Sequence, residues 1–216
     1  MESIKNISIL GGTGALGTGI AKRLLLAGHN VSIGSRKLEA AEIAAKNLDK
    51  KCKGYINKDA ALNGEIVILT VPFAHHQSII EECYTELQGK IFVDATVPLV
   101  PPKVGTVQLP DSHSACINAQ LILGENVKVV SAFQNISAEL LKSDEKIDCD
   151  ILVCGNNKDS RQEVISLIEG MGMKGWHAGQ LANSTAAESL TSVLISINRH
   201  HSIDHSGIKI TGIEKR

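Results

Sequence analysis

The chain has 216 residues, a hydrophobic content of 43% and a net charge of −1, a composition typical of one ordinary globular domain, with or without a small appendage. The balanced charge excludes a strong attraction to nucleic acid or an anionic membrane, and the aromatic content of 3% argues against a base-stacking surface. No apolar run is long enough to span a membrane, and the N-terminus leads into a predicted strand without room for a signal peptide.

The chain has five cysteines, an odd number, and no two of them form a Cys-x-x-Cys pair. We therefore expect buried, reduced thiols rather than disulfides or metal ligands. Reduced thiols are typical of a reducing compartment, so the predicted location is the cytoplasm.

Apolar strands and amphipathic helices alternate along most of the chain. We predict strands at residues 4–10, 30–33, 53–56, 65–71, 90–97, 128–133 and 150–154. Helices are predicted at residues 15–27, 38–48, 58–62, 77–87 and 114–123. This alternation indicates an α/β fold with a doubly wound parallel sheet, the Rossmann arrangement.

Residues 97–110 contain four of the five prolines, so they predict a long loop at the carboxyl end of a strand, where such sheets bind ligands. Beyond residue 155 we predict a helix at 160–171, a strand at 174–178, a long helix at 183–198 and a final strand at 207–213. The expected organisation is a Rossmann domain over residues 1–155 and a small C-terminal α/β lid over residues 156–216.

The strongest motif is the segment Gly11–Gly17, Gly-Gly-Thr-Gly-Ala-Leu-Gly, which contains Gly-x-Gly-x-x-Gly at Gly12, Gly14 and Gly17. It follows the first predicted strand and opens the first predicted helix. In this context Gly12 permits the tight bend, Gly14 lets the backbone approach a pyrophosphate, and Gly17 lets helix and strand pack closely. The alternative is a turn that serves helix–sheet packing alone.

The end of the second strand predicts which dinucleotide is bound. NAD-binding proteins usually carry Asp or Glu here, whereas this chain has Ser35, Arg36 and Lys37. A guanidinium can grip a phosphate with two parallel hydrogen bonds, and Ser35 can donate a third. The pattern therefore favours NADP over NAD.

The fourth strand ends at Val71-Pro72, followed by a pair of histidines. Proline turns the chain there, and His75 is expected to contact the nicotinamide ribose or phosphate rather than to relay protons.

Together these segments resemble the NADPH-dependent oxidoreductases of the deazaflavin coenzyme F420. The resemblance lies in GGTGALG at 11–17, GSR at 34–36, LTVPFAH at 69–75, SAFQNISA at 131–138 and ESLTSVLISINR at 188–199, and it covers nearly the whole chain. It implies reversible hydride transfer between NADPH and coenzyme F420.

The resemblance also implies residue roles. Pyrophosphate contacts fall on Thr13, Gly14, Ala15 and Leu16, and contacts to the 2′-phosphate on Ser35 and Arg36. The NADP pocket is lined by Val71, His75, Val97 and Ala138. Phe133, Gln134 and Ile136, with the proline loop, face the deazaflavin. Gln134 stands where some relatives have histidine, and Ala40 where some have a basic residue that Lys37 replaces.

Hydride transfer between two cofactors needs alignment and exclusion of water rather than a general acid. No residue is therefore predicted to be catalytic. Two other functions stay open: an NADP-dependent reductase of a flavin, imine or carbonyl compound, and a non-catalytic NADP-binding redox sensor.

Two features near the C-terminus allow several interpretations. His200, His201 and His205 are interpreted as solvated loop residues rather than metal ligands. The predicted helix 183–198 carries an apolar stripe at Ala186, Leu190, Val193, Leu194 and Ile197. This stripe is expected to pack on the sheet, to form a homodimer interface or to line the second cofactor's cleft, and packing is compatible with either of the other two roles.

Overall fold

The computed structural model describes residues 3–212, and these form a sheet of eight strands with helices on both faces. In chain order the strands are β1 (Asn6–Leu10), β2 (Asn30–Ser35), β3 (Lys53–Ile56), β4 (Ile66–Leu69), β5 (Ile91–Asp94), β6 (Lys128–Ser131), β7 (Asp150–Gly155) and β8 (Lys174–His177). The α-helices are α1 (Ala15–Leu26), α2 (Leu38–Leu48), α3 (Asn57–Asn63), α4 (His76–Glu82), α5 (Tyr84–Leu87), α6 (Ala115–Leu123), α7 (Ala138–Lys142), α8 (Lys158–Gly170) and α9 (Ser184–His201).

The strands are ordered β3-β2-β1-β4-β5-β6-β7-β8 across the sheet. The first six are parallel, and the chain reverses its direction of winding between β1 and β4, where Leu10 lies opposite Leu69. The predicted fold class is confirmed. Ligands of such sheets bind outside the carboxyl ends of the strands at this reversal point.

Strand β4 shows why the central sheet is apolar on both faces. Ile66 and Ile68 pack with the layer that contains α1, α2 and α8, whereas Val67 and Leu69 pack with the layer that contains α3, α4 and α6. All four residues are buried, because alternate side chains of a strand point to opposite faces and helices cover both.

Strand β7 runs antiparallel to β6, and β8 pairs with β7 in parallel. Between β6 and β7 the chain forms only the five-residue α7, which lies against α1. The sheet thus continues past residue 155, and the segment expected to form the lid contributes its edge strand.

Helix α7 was not predicted from the sequence and is held by α1. Arg23 donates hydrogen bonds to the carbonyl oxygens of Leu140, Leu141, Ser143 and Glu145 at 2.7–3.2 Å. These carbonyls lie at and beyond the end of a helix, where they have no intrahelical donor, so a cation there stabilises a helix too short to form alone.

Two other predicted elements differ in the structure. The helix predicted at 77–87 is interrupted at Cys83, which separates α4 from α5. The strand predicted at 207–213 is wrong for residues 207–212, which form no strand, and Ile213 lies outside the described residues. Ile208 accepts a hydrogen bond from the Asp150 backbone, but Ile210 donates to the Asp150 carboxylate, so no backbone ladder continues.

Helix α9 presents its apolar stripe outward. Its buried residues are Ser184, Ala187, Glu188 and Ser192. Val193 and Ile197 are exposed, and Leu190 and Leu194 are half-buried. Packing of the whole stripe against the sheet, one of the three interpretations above, is therefore wrong.

Among the described residues, no helix is both long and apolar enough to cross a membrane.

Candidate dinucleotide-binding site

The glycine turn joins β1 to α1 at the reversal point of the sheet. Its backbone is fixed from two sides, because Gly12 donates to the Gly34 carbonyl at 3.0 Å and Gly11 donates to Asn57 Oδ1 at 3.2 Å. The left-handed backbone of the turn occurs at Gly11, with φ of +65°, and not at Gly12. Asn57, a buried residue outside the motif, thus helps to shape the turn.

Gly17 and Gly14 lack a side chain for different reasons. A Cβ at Gly17 would lie 2.6 Å from Gly12 Cα, so close packing of helix and turn requires glycine. A Cβ at Gly14 would meet only the Gly11 carbonyl oxygen, at 3.8 Å. The protein leaves open the space above Gly14 that a side chain would fill.

The start of α1 is suited to an anionic group. Gly14 is its N-cap and offers no side-chain acceptor to the first backbone N–H groups. These groups have no partner within the helix, and the helix dipole adds partial positive charge. Thr13, Gly14 and Ala15 are exposed and Leu16 is half-buried, so the unpaired N–H groups at the start of the helix and the open space fit a pyrophosphate, whereas Gly14 N itself donates to the Gly11 carbonyl at 3.4 Å.

The end of β2 carries the predicted 2′-phosphate group. Arg36 and Lys37 are exposed, Ser35 is half-buried, and Ser35 Oγ accepts a hydrogen bond from the Lys37 backbone at 3.3 Å. Neither cation forms an ion pair with any residue in the range 3–212. Both charges are thus available to a phosphate.

The turns after β4 and β5 border the same edge. Val71 packs on the glycine turn, because a Cβ at Gly11 would overlap its Cγ1 atom. Val71, His75 and Val97 are each half-buried. They therefore have surface to offer to a ligand beyond β4 and β5, as predicted for the lining of an NADP pocket.

The segment after β6 is more enclosed than expected for a substrate-contacting loop. Phe133, Gln134 and Ile136 are 3%, 5% and 8% exposed. Gln134 Nε2 donates to the Asp94 carbonyl at 2.8 Å, and Thr191 Oγ1 donates to the Gln134 carbonyl at 2.8 Å. Gln134 thus joins β5 to α9, whereas Phe133 and Ile136 belong to the apolar core. Ala138, at the start of α7, is half-buried.

The structure also brings together a buried ionisable cluster that the sequence analysis did not identify. His76 Nε2 lies 2.6 Å from Asp94 Oδ2, and both residues are at most 1% exposed. Asp94 Oδ1 accepts a hydrogen bond from the Thr96 backbone at 2.9 Å. The Asp94 carboxylate is thus paired on both oxygens at the carboxyl end of β5.

Glu188 of α9 is the second carboxylate of the cluster. It accepts hydrogen bonds from Ala115 N at 2.8 Å, Cys116 N at 3.2 Å and Ser114 Oγ at 2.8 Å, so it caps the start of α6. Burial raises the pKa of Glu188, and the backbone hydrogen bond from Ala115 partly offsets this. The hydrogen bonds to its oxygens offset the free-energy cost of burying this carboxylate.

The balance at His76 favours the charged imidazolium. Burial by itself would lower the pKa of His76, but the charge and hydrogen bond of Asp94, with the charge of Glu188, outweigh burial and raise it. Four polar atoms on residues that bond to or neighbour Asp94 find no hydrogen-bond partner within the described residues: His76 Nδ1, Thr96 Oγ1, Ser131 Oγ and Gln134 Oε1.

Two sequence signals could have located this cluster. Asp94 is a carboxylate at the end of an otherwise apolar strand, and Glu188 is a carboxylate on the buried side of a long helix. His76 was passed over in favour of His75, because no local pattern distinguishes two consecutive histidines.

The cysteines are all unpaired and buried, as predicted. Burial raises the pKa of Cys52 and Cys154 to about 11 and that of Cys83 to about 12, so these thiols are protonated and unreactive at neutral pH. Among residues 3–212 no group of three or more His, Cys, Asp or Glu side chains is arranged to hold a metal ion.

The order of the six parallel strands, the glycine turn and the unpaired cations at the end of β2 define a dinucleotide-binding Rossmann protein. A family model described as NADP oxidoreductase, coenzyme F420-dependent, matches residues 6–98. The F420-dependent NADP reductase of Methanocaldococcus jannaschii is 40% identical over 96% of this chain and 99% of its own length. That of Methanothermobacter marburgensis is 36% identical over 96% of this chain and 98% of its own. The chain belongs to the family of F420-dependent NADP reductases.

A solved structure agrees with the fold. A protein from Arthrobacter sp. FB24, provisionally described as an F420-dependent NADP reductase, superposes with a TM-score of 0.83 at 22% identity and covers 97% of this chain and 100% of that one. The complete coverage extends the agreement in fold to β7, β8 and α9.

Proposed function

We propose that the protein catalyses reversible hydride transfer between NADPH and coenzyme F420. The observation that carries this proposal is the match, over almost the whole of both chains, to relatives named for that activity. The glycine turn and the free cations at the end of β2 support it, because they supply the two anion sites that NADP requires.

We assign the binding of NADP to three parts of the carboxyl edge. Backbone N–H groups from Thr13 to Leu16 hold the pyrophosphate, and Ser35, Arg36 and Lys37 hold the 2′-phosphate. Because these cations fix the adenosine half beyond β2, the nicotinamide half extends across the reversal point toward β4, β5 and β6. There Val71, His75, Val97 and Ala138 line the pocket.

The two cofactors supply the hydride donor and acceptor, and the chain supplies their alignment and a dry cleft. We assign the second cofactor to the proline loop and to the segment with Phe133, Gln134 and Ile136. Since those three side chains are almost fully buried, the backbone and small exposed surface of the segment are what a deazaflavin ring would contact. No side chain is assigned as a proton donor.

The test is the absorbance of the deazaflavin band after mixing catalytic amounts of protein with NADPH and oxidised coenzyme F420. Bleaching at a rate proportional to protein concentration is the expected result. Binding of NADPH without bleaching would refute the proposal and direct attention to flavins, imines and carbonyl compounds, or to a redox sensor that reduces nothing.

We further propose that the protein is a cytoplasmic homodimer with α9 at its interface. Val193 is 43% exposed and Ile197 37% exposed, one turn apart on the outward face of the helix. Replacing both with aspartate should yield a monomer in sedimentation velocity. Leu121→Asp is the control, since Leu121 is 72% exposed but lies on α6 rather than α9. A wild-type monomer would contradict this proposal.

The division into a domain at 1–155 and a lid at 156–216 is likewise proposed as a functional boundary. This division assigns all NADP contacts to residues 1–155, except those that α9 makes. Strand pairing between β7 and β8 makes the second part an extension of the same sheet. Hydrogen exchange with and without NADP tests the boundary, since protection by NADP beyond residue 155 should be confined to α9.

A further inference from the structure

The buried cluster of His76, Asp94 and Glu188 lies on the side of the sheet assigned to the nicotinamide. Asp94 is the last residue of β5, with Leu69 of β4 and Ser131 of β6 as its neighbours in the sheet. The cations that hold the 2′-phosphate are at the end of β2, on the other side of the reversal point. Charges of the cluster therefore act on the redox-active end of the bound nucleotide.

The titratable groups around His76 come from several elements. Asp94 faces it from β5 at 2.6 Å, Glu188 acts on it from α9, and Cys116 of α6 contacts the Asp94 carbonyl at 3.6 Å. Within the same segment of the chain, the ring of Phe73 stacks on the His76 ring at a centroid distance of 6.1 Å, and His75 precedes His76 in the sequence. With the imidazolium present the cluster carries a net charge of about −1, and without it about −2.

We propose that this cluster sets the relative affinity of the protein for NADP⁺ and NADPH, with the proton on His76 as the adjustable charge. The nicotinamide ring carries a positive charge when oxidised and none when reduced. A negative charge in a poorly solvated region stabilises the oxidised ring selectively, and the positive charge of His76 moderates that preference. The proposal rests on the proposed nucleotide site but not on the identity of the second substrate.

Protonation of His76 then makes nucleotide selectivity depend on pH. As pH rises and His76 loses its proton, the cluster becomes more negative, and the affinity for NADP⁺ rises relative to that for NADPH. The 2′-phosphate, with a second pKa of about 6, titrates equally in both forms of the nucleotide, so its effect cancels in the ratio of their dissociation constants. The ratio thus isolates charges near the ring.

The first test is His76→Gln, because glutamine can still donate to Asp94 but cannot carry charge. Direct binding of NADPH by its fluorescence and of NADP⁺ by calorimetry gives the ratio without any turnover. The ratio of Kd for NADPH to Kd for NADP⁺ should rise roughly tenfold, the scale of one unit charge about 10 Å away at an effective dielectric of about 20 to 40. It should also become independent of pH. The control is His177→Gln, which removes an exposed histidine of β8 and should leave the ratio unchanged.

The second test, Glu188→Gln, removes a negative charge and should shift the ratio in the opposite direction, toward NADPH. A merely structural role would weaken both nucleotides equally in either variant, and that result would overturn the proposal. If the variants do not fold, the wild-type ratio decides, measured from about pH 6 to the highest pH at which the protein stays folded, because a constant ratio over that range contradicts the proposal. Absence of F420 reduction would refute the proposed reaction while leaving these binding ratios interpretable.

Discussion

The two halves of the carboxyl edge bind charge in opposite ways. Beyond β1 and β2, the exposed Arg36 and Lys37 and the uncapped start of α1 have no partners among the described side chains. Beyond β5, the buried His76 and Asp94 pair with each other at 2.6 Å, although His76 Nδ1 has no hydrogen-bond partner among the described residues. An exposed, unpaired charge is free to bind a ligand, whereas a buried pair contributes to folding and acts on a ligand only through its field.

The largest expected effect is on stability, in the buried half. Asp94→Ala should lower the free energy of unfolding by about 3–5 kcal/mol, because it leaves His76 and the Thr96 amide without their acceptor. Denaturant titration measures the loss. Asp148→Ala removes an exposed carboxylate paired with Lys209 and should cause no measurable change. Equal effects of the two substitutions would erase the distinction between the two halves.

The next effect is on binding, in the exposed half. Arg36→Ala should weaken NADPH by about 1.5–3 kcal/mol and leave NADH unchanged, since only NADPH has the 2′-phosphate. Titration of both nucleotides by fluorescence checks this, with Lys50→Ala, an exposed lysine before β3, as the control. An equal loss for NADPH and NADH would show that Arg36 does not hold the 2′-phosphate.

Two substitutions in the glycine turn should have different effects, one on the free energy of unfolding and the other on NADP binding. Gly17→Ala should cost about 1–3 kcal/mol of stability, because its Cβ would lie 2.6 Å from Gly12 Cα. Gly14→Val should retain the wild-type melting temperature and lose NADP binding, because its side chain would fill only the open space. Calorimetric melting and nucleotide titration of both variants are needed, and unimpaired binding by Gly14→Val would refute the pyrophosphate assignment.

The smallest expected effect is the pH dependence of stability due to His76. Its pKa is raised in the folded state, so the stabilisation is fully present below the unfolded pKa of about 6.5 and is lost as pH rises through the folded value. The difference in unfolding free energy between wild type and His76→Gln should therefore shrink on the alkaline side. A difference that grows with pH would indicate a neutral His76 in the folded protein.

The sequence was most informative where one short segment contains both the structure and its chemistry. The glycine turn is such a segment, as is Ser35-Arg36-Lys37, and their positions at the ends of β1 and β2 follow from local apolar patterns. The clearest errors concern residues whose environment depends on distant partners. Helix α7 depends on hydrogen bonds from Arg23. The apolar stripe of α9 faces outward because the opposite face of the helix, which carries Glu188, is buried.

The sequence by itself determined the alternation of strands and helices, the nucleotide turn and the preference for NADP, because these depend on backbone geometry and on residues within a few positions of one another. Only the tertiary structure decided the antiparallel direction of β7, the loss of the final strand and the cluster at the end of β5. His76 and Asp94 are 18 residues apart along the chain, and Glu188 reaches Ser114 from 74 residues away. Such contacts exist only once the sheet has brought its carboxyl ends together, so a local pattern can mark Asp94 and Glu188 as unusual but cannot show that they meet His76 and Ser114.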